Sequence, residues 1–287
     1  MAVYRLPAEM QHFYKRHIDY LTENAVNPDQ RRYAVVGEAE RHFIDLDVYG
    51  DSALKVLPKF WLAAVEKIGE DSLRKHGIVP WHLQTASYQL TEAFKAKDAR
   101  RILRISADLG HYVADAHVPL HTTRNYNGQL SGQDGIHGFW ESRLPELFAS
   151  DYDLWIGSVA YIDDVTKKAW EIVSASHAAS DSVFRFEKEL TAAFDQDKKY
   201  TYELRNNILT RSYSKDFSER YHRMLAGQVE RRMKASVQAV GDFWYTCWIN
   251  AGQPDLRDMQ GFSFDQKEEA TERQSWFRRL FNVRSEE

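Results

Sequence analysis

His111 and Asp115 stand four residues apart in a run with helical apolar periodicity, so both leave the same helix face. His137 and Glu141 repeat that spacing, and His121 lies between the two pairs, two positions after Pro119. An imidazole and a carboxylate one helical turn apart can close on one cation with little rearrangement. A nitrogen–oxygen ligand set of this kind suits zinc better than calcium or magnesium, which take oxygen shells. Taken singly, His111 or His137 reads as a helix-face histidine satisfied by a hydrogen bond. Gathered within residues 111–141, the set points to metal ligation.

Local signals set the elements that must position these residues. Asp98 is placed to cap the helix that carries His111. Pro119 ends that helix near Val118, because proline disfavours helix in the residue before it. A Gly/Asn/Ser-rich loop follows over 122–135, and His137 opens the next helix. Elsewhere helical periodicity dominates and period-2 alternation is scarce. Helices are expected over 7–23, over 51–75 with a kink at Pro58 and Gly77 at its C′ position, and from Pro80 to about Lys95. Two more are expected over 154–178 and 181–194. A long amphipathic helix is expected over 215–249, its stripe of Phe217, Tyr221, Met224, Leu225, Val229, Met233, Val237 and Val240 being core packing. Residues 24–40 read as polar and turn-rich, and 195–214 as a tyrosine-rich loop. Trp276, Phe277, Leu280 and Phe281 can dock as a short last helix. The economical reading is an all-α fold, one multi-helix domain over 1–287 with a peripheral segment from about 252.

Composition narrows the classes. The chain has 287 residues, a net charge of −4 and 43% hydrophobic residues, enough for a large core and without a global basic field for nucleic acid. One cysteine, Cys247, forbids an intrachain disulfide and a cysteine-based zinc site. It reads as a small buried apolar residue. No glycosylation sequon occurs, no apolar run reaches the length of a membrane span, and a monomer is expected. No signal peptide precedes Met1, which suits a cytoplasmic protein or a chain that starts after its natural beginning.

His111-x3-Asp115-x-His117-x-Pro119-Leu120-His121, followed by His137-x3-Glu141, resembles the zinc-dependent phospholipase C and S1/P1 nuclease superfamily. On their own, Asp29 reads as a turn residue and His42 as a ligand or a packed histidine in equal measure. The resemblance implies that Asp29, His42, His111 and Asp115 hold one zinc, and that His121, His137 and Glu141 hold a second. It makes Asp115 the bridge to a third, and His117 a non-ligand that supports the ligands from behind. In the family the third zinc needs an N-terminal Trp and a nearby His, neither of which is present. Two zinc sites are therefore expected in this chain and three in the intact protein, with lowered activity here. The family's habit of export implies a secreted or periplasmic protein. Glu141 resembles the phospholipases, since the nucleases carry Asp there. Gln30 departs from the aromatic that the phospholipases place after the base Asp. Phe43 and Asp45 stand where the nucleases stack and read a base, although Phe43 reads equally well as core.

The leading expectation is a zinc-dependent phosphodiester hydrolase that uses a zinc-activated water, with Asp29 as the general base implied by the resemblance. Phe43, Tyr126, Phe139 and Trp140 are candidates for an aromatic wall, with core packing as the default for each. One alternative is a single-strand nuclease, in which stacking takes the place of a basic surface. Another is a helical protein that zinc merely stabilises.

Overall fold

The computed structural model describes residues 1–205, 207–259 and 261–264, and these form an all-α fold apart from one small hairpin. In order come α1 (Ala8–Arg16), α2 (Ile18–Asn24), α3 (Asn27–Arg31), α4 (Ala53–Val56), α5 (Trp61–Ile68), α6 (Glu70–Lys75), α7 (Val79–Lys95) and α8 (Ala99–Ala116). They are followed by α9 (Ile136–Gly138), α10 (Leu144–Phe148), α11 (Val165–Ala193), β1 (Tyr200–Arg205), β2 (Ile208–Tyr213), α12 (Lys215–Met224) and α13 (Gln228–Asn250). Trp276, Phe277, Leu280 and Phe281 lie outside the described residues.

Helix α8 runs through the middle and packs against α2, α7, α11 and α13. Asp98 caps it, its carboxylate accepting from the Arg101 amide at 3.0 Å, and Val118 is extended (ψ 121°) ahead of Pro119. Its apolar face, with Ile102, Leu103, Leu109 and Val113 all at 0% exposure, enters the larger core with α1, α7 and α13. Each such side chain contributes about 1.5–3 kcal/mol by leaving water. A second core gathers Leu120, Ile136, Phe139, Trp140, Tyr213, Phe217 and Tyr221. Helices α11 and α13 contribute to both cores. Beyond α13, Leu256 and Met259 join the larger core and Phe264 stacks on Tyr20 of α2 at 3.8 Å.

Several boundaries differ from the sequence expectation. The 7–23 helix breaks at His17, where φ −107° and ψ 23° leave the helical range. The 24–40 stretch contains α3, with Pro28 in its first turn. The 51–75 helix divides into α4, α5 and α6, Pro58 falling in the first gap and Gly69 (φ 91°) in the second. Residues 154–164 are not helical, because other elements satisfy their backbone. Arg5 donates to the Gly157 and Ser158 carbonyls at 2.7 and 2.9 Å, and Asp242 accepts from the Ala160 amide at 3.0 Å. Helix α11 then runs unbroken through 178–181. The 195–214 loop is in fact the antiparallel hairpin β1–β2, in register Tyr200↔Tyr213 and Leu204↔Leu209. In β1, Tyr200, Tyr202 and Leu204 alternate with polar residues, and in β2 Tyr213 stacks on Phe139 at 3.8 Å. The 215–249 helix breaks where Ala226 and Gly227 turn left-handed (φ 49° and 76°).

Candidate metal centre

Three segments bring the first group together. Asp29 lies on α3, His42 ends a 3-10 turn (Ala39–His42), and His111 and Asp115 share one face of α8. The His42 turn is held in place by Gly77. The Ile78 amide donates to the Glu40 carbonyl at 2.7 Å and the Val79 amide to the Phe43 carbonyl at 3.1 Å. At Gly77 φ is +85°, and a Cβ there would stand 2.2 Å from the Phe43 carbonyl oxygen, so the approach requires glycine.

His42 Nδ1 lies 2.8 Å from Asp115 Oδ2, 3.1 Å from His111 Nε2 and 3.6 Å from Asp29 Oδ1. His111 Nε2 lies 3.2 Å from Asp115 Oδ2 and 3.7 Å from Asp29 Oδ1. Donor atoms around a tetrahedral zinc with bonds of about 2.0–2.2 Å stand roughly 3.3–3.6 Å from one another. The separations scatter about that spacing, and two ring nitrogens face each other across it. This donor set fits a zinc ion.

The second group straddles the smaller core. His121 lies on the 3-10 turn Pro119–Thr122, His137 on α9, and Glu141 on the π-helical turn Phe139–Arg143 that continues α9. The expected ordinary helix from His137 is thus a single α turn that widens, and such π turns concentrate at functional sites. Glu141 Oε2 stands 2.7 Å from His137 Nε2 and 3.5 Å from His121 Nε2. The other nitrogen of each ring is occupied by backbone: His121 Nδ1 by the His42 carbonyl at 2.6 Å, His137 Nδ1 by the Tyr126 carbonyl at 3.2 Å. Those bonds fix the tautomers and leave both Nε2 lone pairs for a cation. Asp115 lies between the groups, its Oδ1 3.9 Å from His121 Nδ1.

The electrostatics match a place for positive charge. Burial opposes charging Asp115, yet His121, His111 and His42 hold its carboxyl far below the usual range. Burial likewise opposes protonation of His111, but Asp115 and Asp29 raise its ring to about 10. His121 rises to about 9 against burial, through Asp115 and Glu141, and Glu141 is lowered by His121 and His137 despite its own burial. The hydrogen bond to His111 lowers Asp29. Without an ion, ring protons supply the charge that the carboxylates demand.

Other expected residues are placed differently. His117 donates from Nδ1 to the Val113 carbonyl at 2.7 Å and accepts at its own carbonyl from Arg232 at 2.8 Å. These bonds tie the end of α8, two residues beyond Asp115, to α13. Phe43 is half-buried, with its ring edge against Gly77, and Asp45 faces His76 at 3.5 Å. Phe139 and Trp140 are core, at 1% and 3% exposure, whereas Tyr126 is 53% exposed with its ring edge-on to His137. Cys247 is buried as expected, its thiol facing the Ser87 carbonyl.

Sequence reasoning missed Glu38 and Tyr112, whose side chains bond each other behind His42. The signal was present, since Glu38 and His42 show the same four-residue acid–histidine spacing as the pairs at 111 and 137. No family model and no curated protein matches this chain. The superfamily resemblance therefore rests on the motif residues alone.

Proposed function

We propose that this chain is a zinc-dependent phosphodiester hydrolase of the phospholipase C type. The observation that carries the reading is that the two ligand groups are adjacent and half-open. His42 is fully buried and the His121 side chain 8% exposed, while Asp29, Glu141 and His137 keep 56%, 35% and 27% of their side chains in solvent. A site that only stabilised the fold would close its coordination shell. Bound zinc ions would neutralise phosphate oxygens and acidify the attacking water.

The chain's own groups have distinct tasks. Asp29 keeps 56% of its side chain in solvent, so it can orient a water and take its proton as that oxygen attacks phosphorus. The bond from phosphorus to the leaving alcohol oxygen breaks, and that oxygen takes a proton from solvent. His42, His111, His121 and His137 stay neutral ligands, while Asp115 and Glu141 balance charge. The lipid reading ranks ahead of the nuclease reading because Glu141 stands where the nucleases carry Asp.

The test is hydrolysis by the zinc-loaded protein of phosphatidylcholine, a soluble phosphocholine ester, single-stranded DNA and RNA. Cleavage of the choline esters is expected, with at least about a hundredfold loss in kcat for Asp29→Asn. Release of nucleotides without lipid cleavage would reverse the ranking. Full zinc loading with no hydrolysis of any of them would leave the metal purely structural.

A further inference from the structure

Each group that contacts the Glu38 carboxylate sits one or two positions from a ligand of the first group. The Tyr112 hydroxyl, next to His111, donates to Oε1. Arg41, next to His42, donates to Oε2 at 2.9 Å. Arg31, two residues after Asp29, reaches Oε1 at 3.5 Å and is braced by Asp108 on α8 at 2.9 Å. One carboxylate at 1% exposure thus joins the three segments that bear Asp29, His42 and His111.

The same carboxylate faces the back of the His42 ring. His42 turns Nδ1 toward Asp115 and His111, and its Nε2 is buried, without a hydrogen-bond partner, 3.9 Å from Glu38 Oε1. A ring that ligates through Nδ1 carries its proton on Nε2, and that proton needs an acceptor. A small closing movement of the turn would bring Glu38 into that role, as a carboxylate behind a metal-bound histidine raises its basicity and fixes its orientation. Glu38 itself touches none of His121, His137 and Glu141, and the His42 segment meets the second group only through backbone, at the His42 carbonyl and the Ile44 amide.

We propose that Glu38 is a positioning residue for the first ion site in preference to the second: it clamps α3, the His42 turn and α8 in register and holds the Nδ1-ligating form of His42. The proposal rests on the two-site zinc reading but not on the reaction. Its effect is a preference between two neighbouring sites, which a merely structural residue would not produce.

The experiment measures zinc per chain and affinity against a competing chelator for wild type, Glu38→Gln, Tyr112→Phe and the reference variant His121→Ala. Wild type is expected to bind two ions. Glu38→Gln should bind one tightly and one weakened on the order of 10- to 100-fold. His121→Ala should lose the other ion, so the double variant should retain neither tightly. Tyr112→Phe keeps the carboxylate and should weaken the same ion by less, which gives the answer if Glu38→Gln fails to fold. Unchanged affinity for both ions in Glu38→Gln, equal weakening of both, or an unchanged first site in Tyr112→Phe when Glu38→Gln does not fold would overturn the proposal. A wild type that binds no zinc would overturn it together with the metal reading. A wild type that binds two ions but hydrolyses nothing would overturn the function and leave Glu38 as proposed.

Discussion

At the scale of residues, the candidate centre stores its charge in protons when no ion is present. Asp115 and Asp29 push His111 up to about 10, and Asp115 and Glu141 push His121 up to about 9, against 6.5 for an ordinary histidine, a direction that favours protonated rings at pH 7. Zinc must displace those protons, since a ligating imidazole is neutral. We predict that binding at pH 7 releases about two protons per chain as both sites fill, and that affinity falls as pH falls. Calorimetry in buffers of different ionisation enthalpy measures the count, and release of none would contradict the ligand assignment. The stability sign follows from the same shifts. Both folded-state values are raised, so the stabilisation by these rings in zinc-free protein is complete below about pH 6.5 and is lost as pH rises through about 9–10. The lowered carboxyls of Asp115 and Glu141 act oppositely, contributing above about pH 4 and losing their effect on acidification.

At the scale of elements, the first group depends on a turn that regular secondary structure does not specify. The His42 segment hydrogen-bonds on one side to residues 76–79 and on the other to the His121 carbonyl, through the Ile44 amide at 2.9 Å. Gly77 permits the first of these contacts. Gly77→Ala places a Cβ against the Phe43 carbonyl at a residue whose φ is +85°. The expected cost is at least about 1–3 kcal/mol from backbone strain, with weaker zinc binding at the first group. Asp98→Ala is the contrasting change. It removes a cap at the far end of α8, where a loss of about 1 kcal/mol is expected with zinc content unchanged. Thermal melts together with zinc analysis distinguish the two, and an intact first site in Gly77→Ala would show that the turn tolerates displacement.

At the scale of the whole molecule, the two ligand groups hang from different cores. His111 and Asp115 are flanked on α8 by Tyr112, Val113 and Ala116 of the larger core, and His121, His137 and Glu141 by Leu120, Ile136, Phe139 and Trp140 of the smaller. Ions bound on both sides would stabilise the folded state by mass action, because the unfolded chain does not hold these groups together. Chelation should lower the melting temperature and zinc should restore it. With ligand at a hundred times its dissociation constant, each site adds about 2.7 kcal/mol. An unchanged melt after verified zinc removal would refute that coupling. Among the described residues no helix is long and apolar enough to cross a membrane.

What the sequence determined by itself was local. The His111/Asp115 and His137/Glu141 pairs, the cap at Asp98, the stop before Pro119 and the predominance of helix all follow from interactions within about one turn. Spacing along the chain encodes those directly. Tertiary structure decided what the chain does between such signals. Residues 154–164 read as the start of a helix, but Arg5 and Asp242, distant in sequence, take their backbone groups. Residues 200–213 have few long-range hydrophobic cues, and their pairing as strands depends on Tyr213 finding Phe139 and on Arg143 reaching Glu203. The meeting of Asp29 and His42 with α8 was legible only through a family resemblance. No local rule brings an exposed carboxylate on α3 and a buried 3-10 histidine to one point. Glu38 was overlooked for the same reason: its spacing from His42 and Arg41 could be read, but Arg31 and Tyr112 lie on other segments that only folding brings to it.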